Sequence, residues 1–214
     1  MGSQDSRCIP ALRFHALTPL LDPCMRLAMR EKTLKGMLVG LAEIQDGHNV
    51  LDLGCGAGTL AIMLKERHPG ARVTGLDPDP RILDLARSKI ERAGVSVDLV
   101  AGSGTHLPYP AETFDRVVSS FVVHHLDAGQ KLQAFREVFR VLRPGGRFHL
   151  LDFGVPSGVY ARLVSRLLAR LEPVGDNIEG RIPPMLVAAG FSGVTCSATR
   201  QIAFGTAAFH RCAR

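Results

Sequence analysis

The apolar positions of this 214-residue chain change period several times, and each change marks an element. Residues 1 to about 24 keep no period and carry Pro10, Pro19 and Pro23, although Phe14, Leu17, Leu20 and Leu21 are apolar enough to pack. From Met25 to Leu41 the spacing becomes helical, with Leu34, Met37, Leu38 and Leu41 on one stripe, and Gln45-Asp46-Gly47 stops it. Val50 to Leu53 reads as a buried strand interrupted only by Asp52. It runs into Gly54, Gly56 and Gly58, after which Leu60, Ala61 and Leu64 predict a helix. Arg72 to Asp77 is a second strand; Asp79 as N-cap and Pro80 in the first turn then open a helix that lasts to Gly94. Val95 to Val100 alternates into a third strand, followed by Gly102-Ser103-Gly104. Phe114 to Phe121 is a fourth strand, and Leu132, Phe135, Val138, Phe139 and Leu142 mark the helix after it. Pro144-Gly145-Gly146 predicts a tight turn into a fifth strand, Arg147 to Phe153.

Strands alternating with helices imply right-handed crossovers and a parallel sheet, hence a doubly wound α/β fold. After Phe153 the alternation lapses. Tyr160, Leu163, Val164, Leu167, Leu168 and Leu171 form an apolar helical face with Arg162, Arg166 and Arg170 opposite, and Ile182 to Ala189 predicts a last helix. Two strand-like runs, about Gly193 to Ala198 and Ile202 to Cys212, follow with no helix between them, so they can pair only as an antiparallel hairpin.

Composition narrows the class. Apolar residues make up 46% and charged ones 21%, and no run of about 18 apolar residues is present, so no membrane-spanning helix is expected. Five scattered cysteines without C-x-x-C spacing predict reduced thiols, a cytoplasmic location and no metal site. The net charge of +6 favours anionic partners without naming one.

The chemistry concentrates at the first strand. A strand, a glycine turn and a helix form a cradle in which backbone N–H groups face a nucleotide-like ligand and no Cβ obstructs it. Dinucleotide turns read G-x-G-x-x-G, whereas this one is Gly54-x-Gly56-x-Gly58 with Asp52 two residues before it. Asp77 falls 23 residues after Gly54, where nucleotide-binding folds place the acid that takes ribose hydroxyls. Asp52/Gly54, Asp77, Ser103 and Phe121 all end strands, and ligands of such sheets sit beyond those ends.

Five ordered motifs carry a resemblance that covers roughly residues 45 to 212: Val50-Leu-Asp-Leu-Gly-Cys-Gly-Ala-Gly58, Gly75-Leu-Asp-Pro-Asp79, Leu107-Pro-Tyr109, Phe114 to Leu126, and Arg140 to Phe148. The chain resembles the class I S-adenosylmethionine-dependent methyltransferases, in their small-molecule and ubiquinone/menaquinone-type branch. The resemblance implies a Rossmann-like sheet of order 3-2-1-4-5-7-6, S-adenosyl-L-methionine as cofactor and S-adenosyl-L-homocysteine as product. It implies one domain with an N-terminal cap (1–44), a cofactor-binding core (45–154), a helical lid (155–190) and the hairpin (191–214). Cofactor-binding roles fall to Asp52, Gly54, Cys55, Gly56, Gly58, Asp77, Pro78, Gly102, Ser103, Gly104, Ser119 and Phe121. The family often has Gly-Asp-Ala after the third strand, with the Asp accepting from the adenine amino group; Ser103 stands there and offers only a neutral acceptor.

His124 and His125 follow the fourth strand, and either could take a proton from a small-molecule acceptor. The alternative is that one packs and the other caps Asp127 or the next helix. His15 and Tyr160 are further candidates for acceptor contact. The arginine row reads either as a solvated helix face or as a peripheral contact with a membrane or anionic lipid. No nucleic-acid partner is expected, because no Asn/Asp-Pro-Pro-Tyr/Phe signature follows the fourth strand. A nicotinamide-dependent oxidoreductase would need the third glycine one position later. A non-catalytic cofactor-binding or assembly protein is the rival from another class.

Overall fold

The computed structural model describes residues 31–170 and 173–214. His15 and the first 30 residues of the expected cap, together with Leu171, lie outside the described residues. The elements are α1 (Glu31–Leu41), β1 (Asn49–Leu53), α2 (Thr59–Arg67), β2 (Arg72–Asp77), α3 (Pro80–Ala93), β3 (Asp98–Ala101) and β4 (Phe114–Ser120). A 3₁₀ turn (Val123–His125) leads to α4 (Ala128–Val141) and β5 (Leu142–Phe153). There follow α5 (Val159–Leu168), α6 (Gly175–Ile178), α7 (Ile182–Ala188), β6 (Ser192–Ile202) and β7 (Gly205–Ala213).

The seven strands form one sheet of order β3-β2-β1-β4-β5-β7-β6, parallel except for β7, which runs antiparallel to both neighbours. Successive side chains on a strand point to opposite faces, and the apolar doublets use this. Val50, Val118 and Leu151 bury on one face with Leu34, Leu38, Leu60 and Leu64 of α1 and α2. Leu51, Val117 and Leu150 bury on the other with Phe135 and Val138 of α4 and Leu186 of α7. Both faces are covered, as a sheet of mostly parallel strands requires.

Local signals set the helix ends. Asp79 accepts from the Arg81 amide at 2.9 Å, Pro80 occupies the first turn, and Gly94 closes α3 in the left-handed region at φ 67°. Asp127 and Gln130 form a reciprocal capping box on α4. That carboxylate is therefore held by Gln130, at 2.8 Å from its amide.

Three boundaries differ from the periodicity. The third strand begins at Asp98, because its ladder with β2 starts at Thr74↔Asp98, while Val97 packs into the core instead. The expected turn at 144–146 is a bulge within one long strand: β4 pairs Phe114 with Leu142 and then Arg116 with Arg147, so residues 143–146 loop out around Gly145. The third difference concerns α5. Its seated side is Ala161 and Ser165, whereas Tyr160, Leu163 and Leu167 face solvent. The apolar face read from the sequence is thus split: Val164 and Leu168 are half-buried, Leu168 against the core, and the rest of the described face is turned outward.

Candidate functional site

The parallel strands deliver their carboxyl ends to one edge, and hydrogen bonds knit the loops there into a single rim. At the end of β1 the Gly54 and Cys55 amides donate to Leu76 O at 2.7 and 3.0 Å, tying the glycine turn to β2. Gly102 N donates to Asp77 O at 3.1 Å and ties β3 to the same place. Ser119, fully buried on β4, donates its hydroxyl to Leu53 O at 2.9 Å. Ser119 thus braces the turn from beneath. Cys55 is buried as well, against Gly75, and burial together with the nearby Asp52 and Asp77 pushes its thiol well above the usual range.

All three glycines of the turn have positive φ, Gly58 at 76°. Gly54 has φ 71°, and a Cβ on it would lie 2.4 Å from a methyl of Val122. Gly56 has φ 51°, and a Cβ there would project into open space above the turn. α2 begins at once after Gly58 with no side chain capping it, so its first amides and the positive end of its dipole face the turn.

Asp77 is half-buried at the end of β2. One carboxylate oxygen accepts from Gly56 N at 2.9 Å and the other from Asp79 N at 3.0 Å. Burial raises its pKa, with the Asp79 and Gly56 amides pulling the other way. A carboxylate has about four lone-pair sites, so two hydroxyls can still be taken by it. Asp52 is in a different state. It is fully buried on β1, and neither carboxylate oxygen has a hydrogen-bond partner. Desolvation raises its pKa to about 7 against the pull of the Lys35 charge; the Ala61 amide also favours the ionised form without closing a bond of proper geometry. Lys35 itself is paired with Glu31 at 2.5 Å. An orphaned buried carboxyl, an open space over Gly56 and spare lone pairs on Asp77 suit a ligand carrying an ammonium and a ribose. These residues fit S-adenosylmethionine.

Pro78 and Ser103 are exposed on the far side of the rim, and Gly102 and Gly104 pack on Leu76 and Leu53. The Ser103 hydroxyl bonds Thr105 Oγ1 at 2.9 Å and accepts from Thr105 N at 3.3 Å.

Beyond β4 the backbone turns sharply. Phe121 has φ 56°, a left-handed conformation costing a non-glycine residue about 1–2 kcal/mol. It is held there by its N–H to Leu151 O at 2.8 Å and by an edge contact with Phe153, 5.7 Å between centroids. Val122 then lies against Gly54, and the next turn brings in His124. This ring is buried: Nδ1 sits 2.7 Å from Asp152 Oδ1, and the His124 amide donates to Asp152 Oδ2 at 3.2 Å. Asp152 is fully buried near the end of β5 and also accepts from Phe153 N at 2.7 Å. Burial pushes its pKa up, but the His124 ring, its hydrogen bond and the Phe153 amide outweigh that and hold the carboxyl below its ordinary value. Rings of His125 and Phe153 flank His124 at 4.0 and 4.8 Å.

The structure therefore brings together Asp52, the glycine turn, Asp77, Phe121 and the two histidines. Tyr160 stands apart on α5, its hydroxyl donating to Ala203 O at 2.8 Å. Asp152 is the residue that periodicity hides. Its one sequence signal is an acid inside the apolar run Leu150-Leu151-Asp152-Phe153, the same anomaly that marks Asp52.

A methyltransferase-domain family model matches residues 50–146. A demethylmenaquinone methyltransferase of Thermus thermophilus is 34% identical over 221 aligned residues, covering 94% of this chain and 96% of that protein. A demethylmenaquinone methyltransferase of Listeria monocytogenes is 34% identical over 135 residues, and the match spans about half (54%) of its length and 62% of this chain. Among solved structures, the S-adenosylmethionine-dependent methyltransferase SibL in its apo form is 26% identical with a TM-score of 0.66, over 94% of this chain and 56% of that one. YcgJ of Bacillus subtilis, 18% identical with a TM-score of 0.71 over 85% of this chain and 98% of that one, shares the fold. The chain belongs to the class I S-adenosylmethionine-dependent methyltransferases, in their menaquinone-type branch.

Proposed function

We propose that the acceptor is a quinol, the reduced form of a quinone-type small molecule, and that His124 takes the proton from its ring hydroxyl. The observation that carries this is the buried His124–Asp152 pair, set among Phe121, Phe153 and His125 and joined to the glycine turn through Val122. Rings of this kind suit a flat aromatic acceptor. The Thermus and Listeria relatives are demethylmenaquinone methyltransferases, which supports the same acceptor class.

When bound, S-adenosylmethionine supplies a methyl group already activated on a sulfonium and leaves as S-adenosylhomocysteine. The chain's own residues do the rest. Asp77 and the glycine turn fix the ribose and the aminoacyl end, and Asp52 takes the ammonium. Asp152 holds the His124 Nδ1–H, which leaves the Nε2 lone pair as proton acceptor, and its charge stabilises the imidazolium that forms. The deprotonated hydroxyl spreads its negative charge over oxygen and ring carbons, one of which takes the methyl as the carbon–sulfur bond breaks with its electron pair on sulfur. The hydrogen on that carbon then leaves as a proton and passes through water to the hydroxyl oxygen, restoring the aromatic ring. The proton held on Nε2 passes to water. Alignment supplies the remaining acceleration.

Residues 155–190 we assign as the cover of the acceptor side, since Ser157 N donates to Thr206 Oγ1 at 3.1 Å and Tyr160 reaches Ala203 at the rim. Among the described residues Cys55, Cys196 and Cys212 are free thiols, which supports a cytoplasmic placement. The test is transfer of label from methyl-labelled cofactor to a short-tailed unmethylated naphthoquinol. The quinol should be methylated and the oxidised quinone, which has no hydroxyl, should not. Equal turnover of both would overturn the reading.

A further inference from the structure

The outward stripe of α5 has no role in the site just described. Ala161 and Ser165, one helical turn apart, seat the helix on β7, where Ser165 meets Gly205. Small residues form this seat together with Leu168, which packs on the core, and Val159, Tyr160, Leu163 and Leu167 are left outside. Val159, Leu163 and Leu167 recur every four residues and are 82, 69 and 60% exposed, with Tyr160 and Val155 beside them. Arg162, Arg166 and Arg170 form a second exposed row three positions further along, directly next to the first. Among the described residues seven large apolar side chains are exposed, and five of them fall between 155 and 167. From Gly154 to Arg170 there is no aspartate or glutamate.

Its place in the fold matters equally. β7 runs antiparallel to β5 with Phe153 opposite Ala207, so the turn between β6 and β7 lies at the carboxyl edge of the sheet. Tyr160 is pinned to that turn at Ala203, and Gln201 Nε2 donates to Ser157 O at 3.2 Å. α5 thus lies on the rim that carries Phe121, Phe153 and His124.

We propose that α5 is an interfacial helix that docks this protein on an anionic bilayer surface. Val159, Leu163 and Leu167 enter the boundary between headgroups and acyl chains. The adjacent arginines reach headgroup phosphates while their methylene stems stay against the apolar layer. Charge complementarity selects the occupant: three arginines with no acid across 17 residues favour an anionic lipid surface over a second, equally basic copy of the chain. Docking by this face turns the acceptor side of the rim toward the bilayer. That a lipid-soluble quinol would enter from there rests on the acceptor reading above; the docking does not.

The experiment is co-flotation of the full chain with phosphatidylcholine vesicles, with and without phosphatidylglycerol. Binding should appear only with phosphatidylglycerol and weaken as salt is raised. Replacing all three arginines with alanine should weaken it on the order of a hundredfold, at about fivefold per charge near an anionic surface. Leu163→Asp with Leu167→Asp should abolish it and leave Tm within a few degrees of the parent. Equal binding to both vesicle types, or retained binding by either variant, would overturn the proposal. So would a large fall in Tm in the double variant, which would show the face covered by the chain itself. A parent dimer that the double variant splits in sedimentation velocity would assign the face to a second copy.

Discussion

Asp152→Asn changes one atom type and nothing of the shape. In the parent, Asp152 Oδ1 accepts from His124 Nδ1 and from Phe153 N, both at 2.7 Å, and Oδ2 accepts from His124 N at 3.2 Å. An amide has one acceptor oxygen. Its better orientation keeps that oxygen toward the ring and Phe153, and sets its NH₂ against the His124 amide, donor facing donor in a buried place. An unpaired buried donor costs about 1–3 kcal/mol, which in a chain of this size lowers Tm by roughly 2–12 °C. The chemical effect is separate. His124 keeps its position and tautomer, but the imidazolium formed on proton uptake loses its counter-charge. General-base assistance contributes about 10²- to 10⁴-fold, and we expect kcat to fall by at least about a hundredfold, or about 2.7 kcal/mol of transition-state stabilisation. Cofactor affinity, measured by calorimetry, should stay within about threefold, because Asp77 and the glycine turn are untouched. In single-turnover assays the residual rate should climb with pH as the quinol ionises by itself. The reasoning fails if the variant keeps kcat within threefold, or if it loses cofactor affinity as steeply as rate.

Ser103→Asp should keep the Thr105 amide as an Asx turn and add a charged acceptor, tightening S-adenosylmethionine binding several-fold, since charge-assisted bonds are about twice as strong as neutral ones; an analogue lacking the adenine amino group should show no gain, and equal gains with both would place the adenine elsewhere. His149, buried on β5 with Nε2 unpartnered, has its pKa driven down to about 3 by burial and then by Arg116, Arg211 and Arg147. The unfolded chain therefore binds this proton first as pH falls below about 6.5, and stability is lost from there toward pH 3, by about 2 kcal/mol at pH 5. His149→Leu should flatten the curve of Tm against pH between 7 and 5; an unchanged slope would show that His149 is not what titrates.

The parallel core was legible because its signals are local: strand formers, glycines with positive φ, Asp79 before Pro80, Asp127 before Gln130. β2 is the predicted Arg72–Asp77 to the residue. On α5 periodicity reports that a helix has an apolar side and not which part of it is covered; Ala161 and Ser165, too small to count as a hydrophobic signal, make the seat with Leu168. At the site, the places of Asp52, the three glycines and Asp77 were readable from spacing alone. The choice between a packing and a working role for the histidines was not, because it rests on Asp152, 28 residues beyond His124 and adjacent only through the pairing of β4 with β5.

Val122 occupies the space that a side chain on residue 54 would need. The glycine turn and the turn bearing His124 are thus separated by one isopropyl group, with backbone on either side of it. The glycine turn cannot lean toward the acceptor without striking it, nor can the turn bearing His124 sag the other way. The gap between the two turns is therefore set by the Val122 side chain lodged against a glycine. If residues 155–190 cover the acceptor as proposed, substitutions there alter which acceptor is admitted and leave that spacing intact while residue 54 stays glycine.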